Sequence, residues 1–158
     1  MLARKCGRPQ FSVSAGARLP RGRIVAGHDA QSATLCDDRR MPTSVLIVDD
    51  HAGYRRSLAA LLDAEGFRVV GEAGDAASAL EAAQRLRPQL ALVDVQLPDG
   101  DGFGVAERLA EADGALAVVL ISSRDASAYG GRVAETPARG FLAKRELTGA
   151  ALRLLVGA

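Results

Sequence analysis

From residue 45 onward the chain alternates short, unbroken apolar runs with longer stretches in which apolar residues recur at helical spacing. Val45-Leu46-Ile47-Val48 is a β-branched run that ends on two acids, Asp49-Asp50. From Tyr54 to Leu62 the leucines 58, 61 and 62 recur three and four residues apart, which predicts a helix. Gly66 is placed to stop it as a C′ glycine. Phe67-Arg68-Val69-Val70 reads as a second strand, Asp75 as the N-cap of the next helix, and Pro88 as its end. Leu90-Ala91-Leu92-Val93 is a third strand that delivers Asp94, and Phe103 to Ala112 a third helix. Leu116 to Ile121, the most apolar run, delivers Ser122. A fourth helix is expected over residues 125–135, weakened by Gly130-Gly131 at about 1 kcal/mol per glycine. Gly140-Phe141-Leu142-Ala143 is a fifth strand delivering Lys144, and Leu147 to Val156 is the last helix.

Five strand–helix repeats predict an α/β architecture: a parallel five-stranded sheet with helices on both faces. The runs are continuously apolar because both faces of such a sheet are covered. A doubly wound order of 2-1-3-4-5 sets the first and third strands side by side at the switch point, making Asp50 and Asp94 close neighbours.

Composition changes this picture at one end only. Of the 158 residues, 48% are apolar and 25% charged, as in an ordinary globular protein. The net charge of +1 hides an asymmetry. Residues 1–40 hold eight Lys/Arg against three Asp/Glu, whereas residues 41–158 hold twelve against sixteen. The first forty residues, rich in Arg, Gly, Ser and Pro and without either period, are expected to be a disordered basic extension. A start assigned too far upstream is the simplest origin, since Met41-Pro42 sits just before the first strand. An Arg-rich targeting segment or a loose anion-binding arm are the alternatives. Residues 41–158 form the expected domain, whose acidic balance makes it a poor nucleic-acid binder. Cys6 and Cys36 fit no metal spacing and imply no disulfide framework. No apolar stretch approaches the roughly 18 residues of a membrane span, and the expected location is cytoplasmic.

The chemistry lies at the strand ends. In an open parallel sheet the carboxyl ends of the strands meet at one rim, where ligands bind. That rim would gather Asp49, Asp50, Asp94, Ser122 and Lys144. Two unit charges 4 Å apart repel by about 4 kcal/mol at an effective dielectric near 20, so a cation is expected among the acids. Oxygen-only ligands favour a hard ion, Mg²⁺ or Mn²⁺. A carboxylate can also hold a phosphoryl group as an acyl phosphate, if metal, ammonium and hydroxyl neutralise the phosphoryl oxygens. Singly, Asp49-Asp50 is equally a solvated turn and Asp94 equally a helix cap; the ordered set gives them weight.

Residues 43–156 resemble the receiver domain of two-component response regulators. The matching stretches are Val45 to His51, Leu92-Val93-Asp94-Val95-Gln96-Leu97-Pro98-Asp99-Gly100-Asp101-Gly102, Ile121-Ser122-Ser123 and Gly140 to Lys144. Separations of 44, 28 and 22 residues between Asp50, Asp94, Ser122 and Lys144 fit the family. The resemblance implies a flavodoxin-like (βα)5 sandwich with Asp94 as phospho-acceptor. It implies Mg²⁺ held by Asp50 directly, by Asp49 mainly through water, by Asp94 and by the backbone carbonyl of Gln96. Ser122 would be the switch hydroxyl, Lys144 the phosphate-binding amine and Phe141 the switch aromatic. The donor would be a sensor histidine kinase or a histidine phosphotransfer protein, and phosphorylation would switch the face of the fourth helix and fifth strand, with homodimerisation as one output. Such a domain signals; it catalyses only its own phosphorylation and dephosphorylation.

The Asp-Asp-His start resembles the NarL/FixJ-like subfamily, whose receivers usually precede a helix-turn-helix domain. With Ala158 the last residue, the expectation is a stand-alone receiver, and the alternative is the N-terminal fragment of a receiver–helix-turn-helix regulator. Arg145 follows Lys144 where many members have proline. An aspartyl-phosphate phosphotransferase or phosphatase of the haloacid-dehalogenase type needs a second Asp two residues after the nucleophile, where Gln96 stands. A flavodoxin-like nucleotide binder needs a Gly- or Ser/Thr-rich loop after the first strand, where acids stand.

Overall fold

The computed structural model describes residues 41–157; the extension expected over residues 1–40 lies outside the described residues, as does Ala158. Five strands form one sheet: β1 (Ser44–Val48), β2 (Arg68–Ala73), β3 (Leu90–Asp94), β4 (Ala117–Ser122) and β5 (Gly140–Ala143). Their order is β2-β1-β3-β4-β5 and every neighbouring pair is parallel. The doubly wound sandwich read from the apolar runs is therefore the observed one. Every residue of β1, β3 and β4 is buried, which is why these strands lack polar alternation.

Successive strand residues divide between two cores, because side chains alternate across a sheet. Leu46, Val48, Ala91, Val93, Val118 and Leu120 pack under α2 (Ala76–Leu86) and α3 (Gly102–Ala112). Val45, Ile47, Leu90, Leu92, Val119 and Ile121 pack under α1 (Ala52–Ala64) and α5 (Gly149–Val156). Helix α1 seats Leu58 and Leu62, but Leu61 is left exposed. Helix α5 seats Leu152, while Leu154 faces outward. Gly66 follows α1 at φ 81°, the left-handed position expected of it. Asp75 caps α2 by accepting the Ser78 N–H at 2.7 Å, and Thr148 caps α5 by accepting the Ala151 N–H at 3.1 Å.

The expected fourth helix over residues 125–135 is broken. A 3₁₀ turn, Ala126–Tyr129, is followed by a single α-helical turn, α4 (Arg132–Glu135). Gly130 between them takes φ 57° and ψ −135°, outside the helical region and open to glycine alone. The glycine pair thus ends a helix rather than merely weakening one. Arg132 holds the short α4 turn in place: it donates to Asp101 Oδ2 at 2.7 Å and lies 4.3 Å over the Phe103 ring.

The loop after β3 matters most for the rim. Gln96–Leu97 pairs antiparallel with Gly100–Asp101 as a two-residue ribbon. Asp99 at its tip reaches across to α2 and accepts the N–H groups of Ala76 and Ala77, at 2.8 and 3.2 Å. These backbone donors hold the Asp99 carboxyl below its ordinary range. Asp101 caps α3 through the Gly104 N–H at 2.8 Å; the Arg132 guanidinium, then that N–H, keep its carboxyl low as well. Gly102 begins α3 pressed against β3, and a Cβ there would overlap the Asp94 carbonyl oxygen and lie 2.8 Å from its carbon.

That close approach makes Gly102→Ala expected to lower unfolding free energy by about 3 kcal/mol, since only backbone movement relieves the clash. Gly53→Ala, in α1 with nothing within 4 Å of the added methyl, is expected to raise it by about 0.5–1 kcal/mol. Urea denaturation of both variants checks the pair.

Candidate functional site

Strand register gathers the rim. Val48 is level with Val93, so Asp49 and Asp94 leave β1 and β3 side by side. Asp94 is level with Ile121 on β4, and Ser122 with Ala143 on β5, immediately before Lys144. The Asp49 backbone is fixed by its N–H donating to Ala73 O at 3.0 Å and by Arg55 Nη1 donating to its carbonyl at 2.6 Å.

Lys144 is the centre of the site. Its Nζ lies 2.6 Å from Asp49 Oδ2 and 2.7 Å from Asp94 Oδ2, with both carboxylates buried. The contact to Asp94 is a hydrogen bond. The contact to Asp49 is a salt bridge of nearly the same length, and both carboxylates support the charged ammonium. Asp49 Oδ1 accepts the His51 N–H at 2.9 Å, and Asp94 Oδ1 accepts the Gln96 N–H at 3.1 Å. The register thus makes Asp49, not Asp50, the acid that shares a cation with Asp94. Asp50 faces solvent and its Oδ1 lies 2.5 Å from His51 Nδ1.

The electrostatics follow from this packing. Burial pushes the Asp94 carboxyl up from its ordinary 3.8, and the Asp49 charge adds to the rise; hydrogen bonds from Lys144 and Gln96 oppose it without cancelling it. For Lys144 burial opposes the charged form, but the carboxylates of Asp49 and Asp94 together outweigh it and hold the ammonium above its ordinary 10.5. Lys144 therefore contributes stability in full below 10.5, lost only as pH rises through its raised value. Protonation of Asp94 favours the fold below 3.8, and that gain is lost as pH rises through its raised value, so ionising Asp94 costs stability.

The acids also fit a metal ion. Asp49, Asp50 and His51 each place one ligand atom within 4.8 Å of the others. Asp49 Oδ2, fully buried, already faces one cation, the Lys144 ammonium, and an oxygen-only acid set of this kind suits a hard metal ion. Asp94 joins this cluster through Lys144, and Gln96 stands beside it in the ribbon.

Ser122 stands at the rim and Phe141 two residues short of the end of β5, level with Leu120, and neither is bonded to Asp94 among the described residues. The Ser122 hydroxyl, fully buried, lies 2.6 Å from Tyr129 Oη and accepts the Arg124 N–H at 3.1 Å. Phe141 packs with its ring 5.8 Å from that of Tyr129. Three contributors are absent from the motif spacing. Tyr54 sits under Lys144, Nζ 4.5 Å from its ring centre, where burial and then the Asp49 and Asp94 charges raise its phenol against the opposing ammonium. Arg55 ties Asp49 to Glu72 on β2, donating to Glu72 Oε2 at 3.0 Å. Tyr129 holds Ser122. Tyr54 and Arg55 fall in the first turns of a helix that follows the acids, a position from which a side chain reaches the rim. Tyr129 lies in the stretch where helical spacing fails, and nothing in its neighbours marks it.

The family model for the response regulator receiver domain matches residues 45–154. The transcriptional regulatory protein PdtaR of Mycobacterium tuberculosis is 42% identical over 90 residues, 56% of this chain and 44% of that protein. The solved signal receiver domain of Mycobacterium tuberculosis NarL superposes with a TM-score of 0.64 at 33% identity, covering 75% of this chain and 100% of that one. A two-component response regulator of the LuxR family from Aurantimonas matches with a TM-score of 0.66 at 26% identity, covering 73% and 86%. The chain spans about half the length of the curated relatives it matches. It belongs to the response regulator receiver domain family of two-component systems. No helix among the described residues is long and apolar enough to cross a membrane.

Two substitutions probe the shared ammonium in metal-free protein. Lys144→Met leaves two buried carboxylates facing each other and is expected to cost about 3 kcal/mol at neutral pH, a loss that shrinks as pH falls and Asp94 takes up a proton. Asp94→Asn is expected to raise the thermal midpoint at neutral pH, with its advantage fading over the same acidic range. Thermal melts from pH 4 to 8 check both signs.

Proposed function

We infer from membership of the receiver family that this domain accepts a phosphoryl group on Asp94 in a phosphorelay. The carrying observation is the Lys144 ammonium lying 2.6 and 2.7 Å from two buried carboxylates at the rim. A carboxylate oxygen of Asp94 attacks the phosphorus of a phosphohistidine. The P–N bond breaks, the imidazole leaves with its electron pair, and an acyl phosphate forms. Lys144 then faces phosphoryl oxygens instead of a bare carboxylate, and its charge offsets theirs. Asp49, Asp50, Asp94 and the Gln96 carbonyl would hold Mg²⁺, or Mn²⁺, which supplies further charge neutralisation for the phosphoryl group. His51, already against Asp50, is a neighbour of that set.

The phosphorylated acid carries about one more negative charge than the carboxylate it replaces. Ser122 donates its proton to a phosphoryl oxygen, and Phe141 turns into the space released. Phe141 has no hydroxyl to leave unpaired on burial. The face of α4 and β5 is the element that changes. The donor is a sensor histidine kinase or a histidine phosphotransfer protein, and homodimerisation on phosphorylation is one output. The domain works in the cytoplasm and signals without binding nucleic acid itself, because residues 41–158 carry an excess of acids. The basic extension, residues 1–40, remains a separate segment in this reading. Catalysis is confined to the domain's own phosphorylation and dephosphorylation.

Incubation with Mg²⁺ and a small acyl-phosphate donor is expected to place one phosphoryl group on Asp94, mapped by mass spectrometry. Asp94→Ala should abolish the label, and Lys144→Ala should slow labelling roughly 100-fold. Asp50→Asn should raise the Mg²⁺ concentration needed for half-maximal labelling. Label that persists in Asp94→Ala refutes the assignment.

A further inference from the structure

We propose that Tyr129 is a positioning residue that latches the Ser122 hydroxyl in the resting state, so that phosphoryl transfer to Asp94 proceeds against the latch. The proposal rests on the receiver reading and adds to it a residue outside every motif of the sequence.

The proton count of one buried hydroxyl carries the argument. Ser122 Oγ has one proton and two lone pairs. Among the described residues its partners are Tyr129 Oη at 2.6 Å and the Arg124 N–H at 3.1 Å. Asp94 is bonded instead to the Gln96 N–H and Lys144 Nζ. Phosphoryl oxygens only accept, so Ser122 serves a phosphoryl group only by aiming its proton at Asp94. Where Ser122 donates to Tyr129, that proton is already committed. Where Tyr129 donates to Ser122, both lone pairs are filled and Oγ is pinned by two donors from the 122–129 side. In either orientation, rotation toward Asp94 breaks or stretches the Tyr129 bond. Ser122 is fully buried, so water does not replace the lost partner.

The ring of Tyr129 is well placed to transmit the release. It meets Phe103 of α3 edge-on, centroids 5.7 Å apart at 61°, and Phe141 of β5 at 5.8 Å and 54°. Phe141 itself offers Ser122 no hydroxyl. Directly after Tyr129 the chain turns at Gly130, and Arg132 is tied to Asp101 and Phe103. The Tyr129 hydroxyl is thus the contact through which residues 126–135 register where Ser122 stands.

Tyr129→Phe keeps the ring against both phenylalanines and deletes the hydroxyl. With Mg²⁺ and a limiting small acyl-phosphate donor, it is expected to raise the initial rate of Asp94 labelling roughly three- to tenfold. In a Ser122→Ala background the same change should leave the rate within twofold, because the latch acts through Oγ alone. Without any phosphodonor, NMR couplings should show the Ser122 side chain passing from one rotamer to several in Tyr129→Phe, with the Arg124 amide shifting. An unchanged labelling rate together with an unchanged Ser122 rotamer overturns the latch, as does an equal effect of Tyr129→Phe with and without Ser122. A wild-type protein that takes no label, while Ser122 still loosens in Tyr129→Phe, overturns the receiver reading and supports the latch as a resting-state contact.

Discussion

One ammonium shared by two buried carboxylates is the constraint around which the rim is arranged. Asp49 and Asp94 emerge from adjacent parallel strands, and their register leaves them no room to diverge. Ionised together in a half-desolvated site they repel, and only a cation lying between them makes the arrangement tolerable. Lys144 reaches that position from the far edge of the sheet because β5 ends level with Ser122. In the proposed function, the same ammonium that stabilises the resting protein is the charge a phosphoryl group on Asp94 would require. The site is therefore balanced rather than relaxed, with Asp94 held above its ordinary pKa and Lys144 above its own.

Around this balance the surrounding residues act mainly to fix backbone. Arg55 holds the Asp49 carbonyl and Glu72 together, so the end of β1 is tied to β2. Asp99 and Asp101 fasten the loop after Asp94 to the N-termini of α2 and α3, each carboxylate satisfying N–H groups that a helix start leaves free. Gly102 lets α3 begin against the Asp94 carbonyl without a gap. Each of these groups fixes backbone next to the rim rather than contacting the Asp94 carboxylate. The Ser122–Tyr129 pair differs in kind, because it holds a side chain that the proposed transfer requires to move.

Much of this was legible in the chain. Each apolar run became a strand, and four of the five strand ends carried a residue assigned to the rim, because a parallel sheet covered on both faces writes itself as continuous apolar segments, with ligand-binding groups at their carboxyl ends. The caps at Asp75 and Gly66 were readable for the same local reason: one residue's side chain or backbone freedom decides the helix end. Spacing between Asp50, Asp94, Ser122 and Lys144 pointed to one family.

The sequence could not supply side-chain partnership. Which of two adjacent acids is level with Asp94 depends on strand register, and register favoured Asp49. Whether the glycine pair weakens a helix or splits it depends on what the following turn can hold, and Arg132 found Asp101 and Phe103 there. Tyr129 gives no periodic or motif signal, since its role arises only when a short turn folds back over the end of β4. Local pattern thus determined elements, their order and the residues at the rim; tertiary packing alone decided which of those residues share protons and charge, because such partnerships depend on distances between atoms that are remote along the chain.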